Sequence, residues 1–174
     1  MSNVVFPPKI DLAQTPTPLQ PLHRLREKWG GPLIWLKRDD LTDCALSGNK
    51  LRKLEFIAAY ALQNDYGAII TCGGIQSNHC RATALVAAKL GLRCHLILRG
   101  EKPAQTAGGN QFLDELSGAT ISYHSPKSYF KALPSLFSEV EALYQADNIK
   151  ALVVPTGGSD GLGLWGYIDA CREL

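Results

Sequence analysis

The chain has 174 residues, 45% of them hydrophobic, and its 18 basic and 16 acidic side chains leave a net charge of +2. This content can fill one buried core and excludes a disordered chain, while the lack of a long basic run leaves no handle for nucleic acid or an anionic membrane surface. No apolar stretch approaches the roughly 20 residues of a membrane span, and Met1–Asp11 lacks the basic-then-apolar order of a secretory signal, so a cytoplasmic protein with a small-molecule partner is expected.

The five cysteines (Cys44, Cys72, Cys80, Cys94, Cys171) are scattered and include no pair at two-residue spacing, so most are expected to be buried small apolar residues. The four histidines are equally dispersed, and no metal site is expected.

Residues 1 to 30 are proline-rich, with Thr15-Pro16-Thr17-Pro18 as a stiff extended piece and a short helix from Leu22 to Trp29. Leu33–Lys37 has the composition of a strand, and Arg38-Asp39-Asp40 follows it as either a structural ion-pair knot or a catalytic cluster. Next comes Ser47-Gly48-Asn49-Lys50-Leu51-Arg52-Lys53-Leu54-Glu55, a turn that runs into an amphipathic helix. Ser47 or Asn49 can cap that helix, and Gly48 allows a bend or a close ligand approach. Leu51, Leu54, Ala58, Ala61 and Leu62 recur at helical spacing toward a core, which leaves Lys50 and Lys53 together on an adjacent stripe. Two close ammonium groups at a helix start disfavour protonation, which suits an amine that attacks a carbonyl. The same pair on a solvated face would only keep the helix soluble.

Beyond Tyr66-Gly67 strands and helices alternate: strand Ala68–Cys72, helix Asn78–Leu90, strand Cys94–Leu98, the loop Thr106-Ala107-Gly108-Gly109-Asn110, a helix to Leu116, strand Ala119–Tyr123, helix Ser128–Tyr144 and strand Ala151–Val154. Short apolar strands separated by helices imply an α/β fold with parallel pairing and ligands at the carboxyl ends of the strands. The turn Cys72-Gly73-Gly74-Ile75-Gln76-Ser77-Asn78-His79 lies at such an end, as does Pro155–Gly163. The first offers amides at a helix start with the Ser77 hydroxyl and the Asn78 amide, equipment for a carboxylate or phosphate, although a plain capping turn has the same composition. Its glycine spacing is not that of a dinucleotide fingerprint, a Walker lysine motif or a nucleophile elbow.

The segments Gly48–Glu55 and Gly74–Asn78 resemble the signature of the D-cysteine desulfhydrase and 1-aminocyclopropane-1-carboxylate deaminase family. The similarity extends from the Thr15–Pro18 arm and Lys37–Asp40 through Gly157-Gly158-Ser159. It implies a three-layer parallel sheet with flanking helices, the tryptophan synthase β-like fold of fold type II pyridoxal-phosphate enzymes, with pyridoxal 5'-phosphate as cofactor. By the same resemblance Lys50 forms the Schiff base, Asn78 bonds the cofactor's phenolic oxygen, Asn49 adjoins the cofactor and Lys53 lies near its phosphate. Ser77 holds the substrate carboxylate or moves a proton, with Gln76 and His79 alongside as substrate-binding residues. The implied activity is D-cysteine breakdown to pyruvate, ammonia and sulfide, or opening of the cyclopropane ring to 2-oxobutyrate and ammonia, in a homodimer when complete. A non-catalytic remnant that binds an anion or another subunit is the reading of a different class.

Family members are about twice as long, and the half not matched here carries the glycine-rich phosphate loop, the pyridine-nitrogen partner and a tyrosine-bearing segment. Residues 48–160 are expected to form the smaller domain, with 1–47 and 161–174 as parts of an incomplete larger one.

Overall fold

Two apolar runs set the centre of the molecule, whose computed structural model describes residues 5–46, 48–104 and 108–174. β3 (Ala68–Gly74) and β4 (Arg93–Arg99) lie side by side in parallel, and their central residues are buried on both faces, as expected for strands covered by helices above and below. β5 (Thr120–His124) and β6 (Ala151–Val153) add parallel edges, giving the order β5-β4-β3-β6. On one face Ile69 and Val154 meet α2 (Lys50–Gln63), while Leu96 and Leu98 meet α3 (Asn78–Lys89). On the other, Ala68, Ile70, Cys72 and Ile97 meet α5 (Pro126–Ala146) through Tyr129, Val140 and Tyr144. The three expected layers are therefore present, and α4 (Asn110–Leu116) packs against α3 at the margin.

The amino-terminal region departs from its reading in one respect. Leu19–Pro21 forms a short strand, β1, paired antiparallel with β2 (Trp35–Lys37), and α1 (His23–Trp29) connects them. This hairpin has no other sheet neighbour among the described residues, and Ile34, Trp35 and Leu36 remain exposed. The arm before it is tied to α2: the buried Glu55 carboxylate accepts the Leu12 and Ala13 amides at 2.8 Å each and lies 3.4 Å from Lys9.

α2 is also more deeply set than an amphipathic helix. Residues 51–59 are buried without interruption, Arg52, Lys53 and Glu55 included, whereas Leu62, placed in the core by its spacing, is 40% exposed. The reason is a second cover: α6 (Gly161–Ala170) packs on the side of α2 away from the sheet, so close that a Cβ at Gly166 would collide with the Arg52 carbonyl. The Arg38-Asp39-Asp40 cluster resolves into ion pairs. Arg52 binds Asp39 at 2.8 Å and Glu173 at 2.7 Å, Lys37 also pairs with Glu173, and Arg38 turns outward to Asp40.

Candidate active site

The carboxyl ends of β3 and β6 bring three loops together, and the two lysines behave differently there. Lys50 opens α2, is partly exposed and makes no hydrogen bond or ion pair among the described residues. Lys53, one turn further in, is only 9% exposed. Its ammonium donates to Ser159 Oγ at 3.0 Å and to the Gly157 carbonyl at 3.2 Å, and it lies 5.7 Å from the centre of the Tyr167 ring. Burial, reinforced by the charge of Lys50 and opposed by Asp160, holds the Lys53 pKa below the ordinary lysine value. The pair is thus not a solvated stripe.

Asn49 stands at the cap position of α2 but with helical backbone angles, φ −59° and ψ −18°, and no capping hydrogen bond. Its side chain instead donates to the Tyr167 hydroxyl at 2.7 Å. Ser47, the other predicted cap, lies outside the described residues, as do Thr106 and Ala107 of the third glycine loop.

In the second turn, Ser77 adopts an extended conformation before α3 and accepts the Cys80 amide at 3.2 Å, an N-cap that satisfies one first-turn donor. The strand can end this tightly because position 73 is glycine: a Cβ there would lie 2.7 Å from both Ser77 Oγ and Cys80 Sγ. Asn78 and Gln76 are exposed and turn toward the loop that opens α4. His79 is 3% exposed and points inward, its Nε2 lying 2.9 Å from Thr71 Oγ1. The Thr71 hydroxyl gives its one proton to the Val154 carbonyl at 2.8 Å, so it accepts from Nε2, and Nδ1 is left with a buried lone pair and no partner among the described residues. Burial and then the charges of Lys50 and Lys53 push the His79 pKa down to about 4. The ring is a neutral floor beneath the two lysines, set below the turn rather than on its open side.

Lys50, Lys53, His79, Gly157 and Ser159 are therefore gathered into one site, which Asn49 joins through Tyr167. Gln76 and Asn78 are held instead by the loop that opens α4. Thr71, Asn110 and Tyr167 were not singled out as site residues by the sequence reading. Asn110 had a visible signal, a glycine pair opening a helix, whereas Tyr167 falls within an apolar helical run that gives none.

A parallel sheet that carries, at its carboxyl edge, a lysine uncommitted among the described residues and a glycine-bearing turn into a helix defines an α/β scaffold with its site at the strand ends. Residues 10–174 match the family described as pyridoxal-phosphate dependent enzyme, and the chain belongs to that family. It is 45% identical to a putative 1-aminocyclopropane-1-carboxylate deaminase of Thermotoga maritima, over 95% of this chain and 52% of that protein. It is 42% identical to a D-cysteine desulfhydrase of Serratia proteamaculans, over 96% of this chain and 51% of that one. The crystal structure of an ACC deaminase homologue superposes with a TM-score of 0.86 at 35% identity, covering 96% of this chain and 50% of the other. The chain thus spans about half the length of the relatives it matches, the half that contains the residues described above.

Proposed function

We propose that this chain supplies the lysine-bearing half of a pyridoxal-phosphate-dependent lyase or deaminase of small amino acids, with Lys50 as the residue that holds the cofactor covalently. The observation that carries this reading is the contrast between the two lysines: Lys50 is uncommitted, while Lys53 is engaged by Gly157 and Ser159. The donor set fits the cofactor, because the Lys50 amine and the Asn78 Nδ2 are both without partners among the described residues and both suit its carbonyl-derived carbon and phenolic oxygen. When bound, pyridoxal phosphate accepts the electrons left on the substrate α-carbon as its proton departs. The Lys50 amine, uncommitted among the described residues, would be available to take that proton. Lys53 keeps a third ammonium hydrogen for the cofactor phosphate, Asn49 steadies the approach to Lys50 through Tyr167, and the Ser77 turn with Gln76 receives the substrate carboxylate. His79 supports the floor under that substrate position.

D-cysteine is the first substrate to test and 1-aminocyclopropane-1-carboxylate the second, since relatives of both names match 95% and 96% of this chain at similar identity. A cytoplasmic homodimer of the complete protein belongs to the same reading; among the described residues no helix is long and apolar enough to cross a membrane. So does a division into a smaller unit, 48–160, and the flanks of a larger one.

Borohydride reduction of the chain incubated with pyridoxal phosphate, followed by peptide mapping, tests the assignment. Label on Lys50 is expected. Label on Lys53 with Lys50 unmodified would reverse it.

A further inference from the structure

Asn78 is useful to a cofactor only if its carboxamide presents the nitrogen, and an asparagine side chain can rotate by half a turn at little steric cost. In this chain the choice is made by the loop that opens α4. Asn110 Nδ2 donates at 2.8 Å to the Asn78 Oδ1 and at 2.8 Å to the backbone carbonyl of Gln76. The Asn110 amide donates to Gln76 Oε1 at 2.8 Å, and Gln76 Nε2 returns a hydrogen bond to the Gly108 carbonyl at 3.0 Å. Asn110 is itself oriented, because its Oδ1 lies 3.4 Å from Arg81 Nη1 and a guanidinium can only donate. The loop approaches at Gly109, where φ is +61° and a Cβ would lie 2.6 Å from Gln76 Oε1.

The polarity of this chain of contacts runs one way: Arg81 donates to Asn110, Asn110 donates to Asn78, and Asn78 Oδ1 is consumed. Its Nδ2 is then turned away from Asn110 with no acceptor among the described residues. We propose that Asn110 is a positioning residue that fixes the Asn78 carboxamide with its nitrogen outward, as the donor for an oxygen anion of the ligand. The ligand assignment rests on the pyridoxal-phosphate reading above; the orientation does not.

Side-chain amide exchange in the 15N-labelled 174-residue chain, without ligand, tests the orientation. The Asn110 carboxamide protons, both hydrogen-bonded, are expected to exchange with water at least about tenfold more slowly than those of Asn78, in line with a hydrogen bond of about 1.4 kcal/mol. In Asn110→Asp the new carboxylate can only accept, so Asn78 must turn its nitrogen inward and become the protected one. Fast exchange at Asn110 with protection at Asn78 in the unsubstituted chain would overturn the proposal. So would an Asn78 signal unmoved in Asn110→Asp. Pyridoxal-phosphate titration, at high salt to screen the added charge, reads the consequence. Affinity is expected to fall in the order unsubstituted, Asn110→Ala, Asn110→Asp, with the last at least about tenfold down. A residue that served only packing would give the reverse order for the two variants, because aspartate keeps the shape of asparagine, and that order would overturn the proposal. If the unsubstituted chain binds no cofactor, the functional reading fails while the exchange measurement still decides the role of Asn110.

Discussion

Arg52 and Glu173 stand 121 positions apart in the chain, and Arg52 Nη1 lies 2.7 Å from Glu173 Oε1. The guanidinium is also held by Asp39 on its other side at 2.8 Å, and its Nη2 donates to Thr17 Oγ1 at 3.0 Å. Burial disfavours its charge, but the hydrogen bonds of Glu173 and Asp39 outweigh that and raise its pKa further. Removing one partner from such a buried network leaves the others uncompensated. Arg52→Ala is expected to lower unfolding free energy by about 3–5 kcal/mol in urea denaturation. A loss below about 1 kcal/mol would show that water replaces the guanidinium.

Acid should act through two groups in sequence. Burial and the neighbouring lysines keep His79 neutral to about pH 4, so the folded state resists a proton that the unfolded chain accepts near 6.5. Stability present above the unfolded value is lost as pH falls toward 4. Glu173, held by Arg52 with a pKa of about 2, adds stability present above its usual value of 4.5 and lost as pH falls through 2. His79→Gln should flatten the upper window and leave the lower one, measured as unfolding free energy from pH 7 to pH 2.

Asp114 gives the opposite slope. Its carboxyl is fully buried on α4 with no hydrogen-bond partner among the described residues, and burial pushes its pKa up to about 7 despite the nearby charge of Arg81. The folded state therefore favours the protonated form, and the stability that brings is complete below the unfolded value of 3.8 and lost as pH rises through 7. Asp114→Asn is expected to raise the melting temperature at pH 8 by several degrees and to leave it nearly unchanged at pH 4. Equal shifts at both pH values would point to packing instead of ionisation.

Ile34, just before β2, and Leu36 within it are 43% and 44% exposed on a strand with a single neighbour among the described residues. An apolar edge of this kind invites pairing with other chains. The 174-residue chain should self-associate at micromolar concentration, and Ile34→Lys with Leu36→Lys should suppress this in light scattering while costing less than about 1 kcal/mol, as exposed substitutions do. Unchanged association in the double variant would place the sticky surface elsewhere.

The sheet was legible because its strands are short apolar runs between helical patterns: Ala68–Cys72 and Cys94–Leu98 can be read without knowing the neighbours and extend in the structure to Ala68–Gly74 and Arg93–Arg99. β1 was not, because Leu19–Pro21, which follows one proline and ends in another, takes its pairing entirely from Trp35–Lys37. The burial of the polar residues of α2 was not legible either. Arg52, Lys53 and Glu55 look like a wet face until Glu173, Ser159 and the Leu12 amide are brought to them from more than 40 positions away. Lys50 and the Ser77 turn could be found as local patterns, whereas the hold of Asn110 on Asn78 depends on a contact between two loops that neither segment encodes alone.

The near contact of Gly166 with the Arg52 carbonyl sets a timetable as well as a shape. Translation delivers the helix Lys50–Gln63 first and its second cover about 100 residues later, an interval of about 5–20 s at ribosomal speed. For that time the helix has the emerging strands on one side and water on the other, and Arg52 has no Glu173 to meet. Until residues 161–173 are made, the Arg52 guanidinium has only Asp39 and Thr17 for partners among the described residues, so the buried network closes last.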